Sequence, residues 1–142
     1  MMTFEDIDYR TEFDIEVRED QKDFVASLDV TFGRAWMYRN CRPHCNLIKV
    51  DGEGVGIMLW YDNEDLGVFD IAELMIDRKS QGKGYGTMAM EKALAEMKAD
   101  GKYEKASLFF EIGDTAAEHL YKKLGFVETV RNDEAIAMEK VL

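Results

Sequence analysis

Between Asp77 and Lys98 the chain reads DRKSQGKGYGTMAMEKALAEMK, with Gly82, Gly84 and Gly86 at alternate positions directly ahead of a helical pattern. Glycines so placed leave unpaired backbone N–H groups beside the positive end of a helix dipole, which together bind phosphate. A Cβ there would block close approach. The neighbouring side chains agree, because Arg78, Lys79, Ser80, Gln81, Lys83 and Thr87 are cationic or polar and no acid lies between Arg78 and Thr87. The spacing excludes two nucleotide loops. A dinucleotide loop reads G-x-G-x-x-G, and a Walker A loop needs G-x-x-x-x-G-K followed by Ser or Thr. A strand-to-helix turn without a ligand would also use glycine, but three glycines and three cations exceed what a turn needs.

Three other groups could do chemistry. Cys41, His44 and Cys45 offer three metal ligands where a structural zinc site wants four, so no metal is expected. Tyr121 falls on the stripe Ala117, Leu120, Leu124 and reads from periodicity alone as a core aromatic. Trp36, Tyr38, Trp60 and Tyr61 suit either a substrate entrance or core packing.

The elements that must position these residues follow from the apolar pattern. NLIKV and VGIMLWY flank DGEG at Asp51 to Gly54, a hairpin signal, and LGVFDIAELMI from Leu66 to Ile76 completes a three-stranded antiparallel meander. After the glycines the period changes. Met90, Ala93, Leu94 and Met97 make one helix face that Gly101 ends. ASLFFEI follows as a strand, then Asp114 caps a helix carrying Ala117, Leu120, Tyr121 and Leu124, with Gly125 ending it. FVETV and AIAMEKVL read as two strands around RNDE. In the opening third, FDIEV alternates as a strand would, and QKDFVASLDVTFGRAWMY is helical in composition. The order predicts an α/β (α+β) domain with a mixed, mostly antiparallel central sheet flanked by helices.

Composition bounds the class. The 142 residues, 46% hydrophobic, suit one domain over residues 1–142. No apolar run reaches membrane length and the start MMTFEDIDYR lacks the features of a signal peptide, so the expected compartment is the cytoplasm. Two cysteines cannot staple a domain of this size and read as reduced thiols. With 18 basic against 29 acidic residues the net charge is −11, which argues against nucleic acid and anionic membrane and favours a cationic partner. The pattern is compatible with a homodimer.

The loop and one further segment resemble a known family. QGKGYG from Gln81 to Gly86 fits the Gln/Arg-x-x-Gly-x-Gly/Ala signature of the GNAT superfamily of N-acetyltransferases, and AEHLYKKLGF from Ala117 to Phe126 is similar to its A-x-x-L-Y-x-x-x-G-F segment. The order of elements from Asn46 to Leu142 is also that of the GNAT fold. EDQKDFVAS from Glu19 and LMIDRKSQGKGYG resemble bacterial spermine/spermidine acetyltransferases.

The resemblance implies direct transfer of an acetyl group from acetyl-CoA to a primary amine, without metal. It assigns the pyrophosphate to the loop Gln81, Gly82, Lys83, Gly84, Tyr85, Gly86 and Thr87, with Asp114 and Ala117 also at the cofactor. It pairs the main chain of Leu74, Met75 and Ile76 with the pantetheine arm. Tyr121 becomes the general acid, since a phenol with a pKa of about 10 can give a proton to a departing thiolate. Asp70, Glu73 and Glu111, on the two strands that diverge around the acetyl group in this fold, are candidates for acceptor binding or for the base. Alternation puts Asp70 on the face of Ala72 and Leu74, with Glu73 opposite unless a bulge intervenes.

Three positions depart from the family. Asp114 stands where Asn is usual and also suits a helix N-cap, Arg78 replaces a proline, and little chain precedes Asp8-Tyr9, which resembles the start of the family's first helix. The expected acceptor is a small cationic polyamine. The alternatives are a protein N-terminus or lysine, and a non-catalytic acyl-CoA-binding module.

Overall fold

Asp51 and Gly52 both adopt positive φ, 51° and 86°, which only a tight two-residue turn of the hairpin type demands. That turn joins β2 (His44–Val50) to β3 (Glu53–Asn63), and β4 (Val68–Ile76) completes the expected antiparallel meander. The computed structural model describes residues 1–24 and 26–142. Its sheet runs β1 (Met2–Asp6), β2, β3, β4, β5 (Lys105–Glu111), β7 (Ala135–Val141), β6 (Val127–Arg131). Only the β4–β5 pair is parallel.

Both faces of β3 are covered, which is why Val55 to Tyr61 is apolar without alternation. One face packs Met58, Trp60, Phe69 and Ile71 under α2 (Tyr85–Asp100), whose buried Met90, Ala93, Leu94 and Met97 form the predicted stripe. α3 (Thr115–Lys123) adds Ala117, Leu120 and Tyr121 to the same core. The other face packs Leu47, Ile57 and Met75 against Ile15, Val17 and α1 (Leu28–Met37). No helix among the described residues is long and apolar enough to cross a membrane.

The opening third corrects the sequence reading in three places. FDIEV is extended with Ile15 and Val17 buried, yet it joins no ladder. It is anchored at its middle, where Glu16 N donates to Asp77 Oδ1 at 2.9 Å and Arg78 N donates to the Glu16 carbonyl at 2.7 Å. The helical stretch yields only a 3-10 turn at Glu19–Gln21 and then α1, because Ser27 caps the helix by accepting from Val30 N. Val25, within that stretch, lies outside the described residues. Asp8-Tyr9 starts no helix; Thr11 N closes a turn on the Asp8 carbonyl, and Tyr9 is fully outside the core.

A buried carboxylate fixes one end of the sheet. Asp62, opposite Phe69 in the β3–β4 ladder, accepts from Arg42 Nε at 2.7 Å and Lys102 Nζ at 2.8 Å. Burial alone would raise its pKa, but these two cations together outweigh burial and hold the carboxyl below its ordinary value. Lys102 precedes β5, so the cluster ties β3 to the chain entering β5 at the end where β4 and β5 are still paired.

Candidate active site

β4 and β5 pair only at Phe69 with Ala106 and Asp70 with Ser107. Beyond that point each strand keeps its outer partner, β4 with β3 and β5 with β7, while the inner edges separate. The gap is a cavity of about 460 Å³. Leu74, Met75 and Ile76 line it, so the unpaired edge of β4 is open to a ligand's hydrogen-bonding groups.

The register of β4 contains the bulge on which the placing of Glu73 depends. Leu59 lies opposite Glu73 and Trp60 opposite Ile71, which leaves Ala72 without a partner. This bulge resets the alternation. Asp70 therefore shares the face of Glu73 and not that of Leu74, which packs with Ile71 in the core under α2. Both acids point to the face that carries α1.

Gly82, Gly84, Tyr85 and Gly86 belong to the cavity lining. Gly84 is the N-cap of α2 with φ 81°, no side chain caps the helix and its first turn holds no acid. The first N–H groups of α2 are thus left for a ligand. A Cβ built at Gly82 or Gly84 would meet nothing within 4 Å, and Gly82 also has positive φ, 76°. The concavity fits a phosphate group, while positive φ gives both glycines a backbone reason as well. Gln81 lines the cavity but its amide is committed elsewhere, donating to the Ile76 carbonyl at 3.0 Å and to Gln21 Oε1 at 2.7 Å. Lys83 and Thr87 lie outside the lining, and Arg78 reaches towards Glu16 instead. Gly84→Ala should weaken CoA binding tenfold or more while costing only about 1 kcal/mol of stability for the left-handed conformation. Calorimetry with CoA and a thermal melt on the same protein check this, and unchanged affinity would move the phosphate site away from the loop.

The same cavity is lined by Glu73, Glu111, Asp114, Ala117 and Tyr121. Burial pushes the Glu73 carboxyl up to about 7, against the opposing hydrogen bond from Ala26 N and the charge of Arg34. Burial likewise raises the Tyr121 phenol well above its ordinary value, helped by the negative charges of Asp114 and Glu73, so it is protonated throughout the neutral range. The Tyr121 ring packs on Phe110 and Phe126 at centroid distances of 5.6 and 5.9 Å, so the core role read from periodicity is also filled. Asp114 caps α3 by accepting from Ala117 N at 3.2 Å. Asp70 is not in the lining; burial raises its carboxyl, and it lies opposite Tyr61.

The aromatic group separates. Trp60 and Tyr61 are buried, Trp36 is 64% exposed, and none of the four lines the cavity. His44 stacks on Trp60 at 3.7 Å, and burial raises the Cys45 thiol to about 11. Among the described residues, no cluster of three or more His, Cys, Asp or Glu is placed to hold a metal. Sequence reasoning missed Gln21, Phe24, Ala26 and Arg34, which close the cavity from the opening third. Gln21, Phe24 and Ala26 fall in EDQKDFVAS, whose resemblance to polyamine acetyltransferases is the signal that marks that segment, whereas nothing in the sequence marks Arg34.

Residues 4–126 match the model of the Acetyltransferase (GNAT) family. Solved structures share the fold at low identity. A GNAT family acetyltransferase from Elizabethkingia anophelis with acetyl-CoA bound superposes with a TM-score of 0.69 at 19% identity, covering 99% of this chain and 98% of that one. The PaiA N-acetyltransferase of Thermoplasma acidophilum in complex with coenzyme A gives 0.65 at 17%, covering 80% and 68%. The spermidine/spermine N-acetyltransferase of Vibrio cholerae gives 0.63 at 18%, covering 81% and 74%.

Proposed function

The chain belongs to the GNAT acetyltransferase family and is an acetyl-CoA-dependent N-acetyltransferase; from that premise we propose that its acceptor is a small amine carrying more than one positive charge. Residues 1–142 act as one domain, in which Glu73 is the general base and Tyr121 the general acid. The observation that carries the reading is the geometry: Glu73, its carboxylate held by Ala26 N, lines the same cavity as Tyr121.

Acetyl-CoA supplies an acetyl group activated as a thioester. The residues fit it: the α2 N-terminus with Gly82 and Gly84 binds the phosphates, and the edge Leu74 to Ile76 orients the arm. An amine with a pKa near 10 arrives as an ammonium ion and must lose a proton before it attacks. Glu73, half ionised near neutrality, accepts that proton, and Tyr121 holds the proton that the departing sulfur takes. Both groups keep their charges matched to the task at neutral pH.

The polyamine part of the reading rests on charge. Asp23, Glu73, Glu111 and Asp114 line the cavity against the single cation Arg34, in a chain of net charge −11. Such a cleft raises the local concentration of a polycation. The likeness to a protein named for spermidine and spermine supports the same class.

Release of free CoA thiol with spermidine, a monoamine and a peptide N-terminus tests both levels of the proposal. Spermidine should give the highest kcat/KM. It should also lose more of it than the monoamine when salt shortens the Debye length from about 10 Å at 0.1 M to about 3 Å at 1 M. Preference for the peptide without a salt effect overturns the polyamine reading, and no thiol release with any amine overturns the catalytic one.

A further inference from the structure

One guanidinium reaches the cavity wall without belonging to the phosphate loop or to the acid–base pair. Arg34, in the last turn of α1 and half-buried, donates from Nη1 to the Ala72 carbonyl at 3.4 Å. Ala72 is the residue that the β3–β4 register skips. A bulged residue has no ladder partner, so its carbonyl needs a donor from outside the sheet. Without that restraint the strand could return to plain alternation, and a shift of one residue would carry Glu73 to the opposite face. A second tie runs between the same two parts of the molecule. Ala26 N donates to Glu73 Oε2 at 3.2 Å, and Ala26 immediately precedes Ser27, the cap of α1.

We propose that Arg34 is a positioning residue for acetyl transfer: through the Ala72 carbonyl it fixes the β4 bulge and holds the Glu73 carboxylate at the cavity wall. The proposal rests on Glu73 being the base. A planar guanidinium suits the role because it can bond one acceptor and still present charge to others. The ionisable groups that share the cavity wall with Glu73 are Arg34 from α1, Asp23 from the segment before it, Glu111 on β5, Asp114 at the N-cap of α3 and Tyr121 on α3, and Asp70 shares its face of β4. β3 contributes the apolar Leu59 opposite it. Arg34 is the one cation of that set, so its charge joins the Ala26 and Leu74 N–H groups in opposing the burial that disfavours an ionised Glu73. Removing it raises the carboxyl further, and the acid limb of the rate profile moves to higher pH.

The test compares Arg34→Met, Arg34→Gln, Glu73→Gln and the double variant Arg34→Met with Glu73→Gln. Rates are measured from about pH 6 to pH 9, across the expected limb, with a thermal melt for each protein. Arg34→Met should lower kcat at neutral pH roughly tenfold, the scale of a misplaced catalytic group, and leave KM for acetyl-CoA within about twofold. Its acid limb should rise by about one pH unit. Arg34→Gln keeps an amide donor for Ala72 without the charge, so it should recover more kcat at high pH than Arg34→Met while sharing the shifted limb. Should Arg34→Met fail to fold, the limb of Arg34→Gln decides. An unshifted limb there, or a loss confined to KM for acetyl-CoA, overturns the proposal. So does an Arg34→Met loss that persists in full on top of Glu73→Gln. A Glu73→Gln protein that keeps the wild-type limb sinks the base assignment instead, so the two failures are distinguishable.

Discussion

At pH 8, Glu73→Gln should turn over its amine about 10²-fold more slowly than the parent, within the range for loss of a positioned base, and its kcat/KM should no longer fall as pH drops below 7. In the parent the carboxyl sits near 7 because burial outweighs the Ala26 hydrogen bond and the Arg34 charge. The base is the ionised form, so kcat/KM rises through that value and levels above it. Ionisation of the amine near pH 10 lies well above this limb and leaves it readable. Glutamine keeps an acceptor for Ala26 N and nearly the same shape, so the change removes the base without opening a hole.

Stability supplies an independent check with its own sign. The Glu73 carboxyl is raised from 4.5 to about 7 on folding, so the folded protein holds the proton more tightly than the unfolded chain. That contribution is fully present below about 4.5 and is lost as pH rises through about 7. Compared with the parent, Glu73→Gln should therefore melt relatively higher at pH 8 than at pH 4.5. A variant that is slow and also less stable at both pH values would point to a damaged cleft. A wild-type rate and limb would remove Glu73 from the chemistry.

What made the cleft readable was local. Glycines at alternate positions followed by the 3.6-residue stripe of Met90, Ala93, Leu94 and Met97 could only be a turn entering a helix, and α2 begins at Tyr85. Asp51 and Gly52 announced the hairpin because few residue pairs accept two positive φ angles. The misses share a different cause. Period-two alternation in FDIEV specifies an extended chain with one buried side, and Ile15 and Val17 obey it, but nothing in that pattern says whether a neighbouring strand will pair. The bulge at Ala72 is invisible for the same reason. Counting residues assumes that every one has a partner, and one unpaired alanine was enough to bring Asp70 and Glu73 to the same face.

Long-range placement explains the rest. Arg34 and Ala26 reach Ala72 and Glu73 across 38 and 47 residues of sequence, and both belong to a stretch whose composition says helix and whose order says little else. Gln81 shows the reverse. Its position in a phosphate-loop pattern suggested a side chain offered to ligand, whereas the amide spans from Ile76 to Gln21 and braces the wall from which the loop departs.

Tyr121→Phe should lower kcat by about 10²-fold at saturating amine and acetyl-CoA, with KM for acetyl-CoA little changed. The hydroxyl is the only group removed, and the ring keeps its contacts with Phe110 and Phe126, so packing predicts almost no loss of stability. The proton at stake is well held. Burial, with Asp114 and Glu73 adding to it, keeps the phenol neutral beyond the range in which the enzyme is assayed, so no new limb should appear in the parent below about pH 10. The variant should retain the Glu73 limb near 7, because base and acid act on different atoms. That retained limb separates loss of the acid from a general collapse of the cleft, which would disturb both. Solvent deuterium should slow the parent more than the variant if transfer from the phenol contributes to the rate-limiting step. A variant with wild-type kcat, measured where chemistry limits the rate, would leave Tyr121 with the packing role alone and require another proton source for the leaving sulfur.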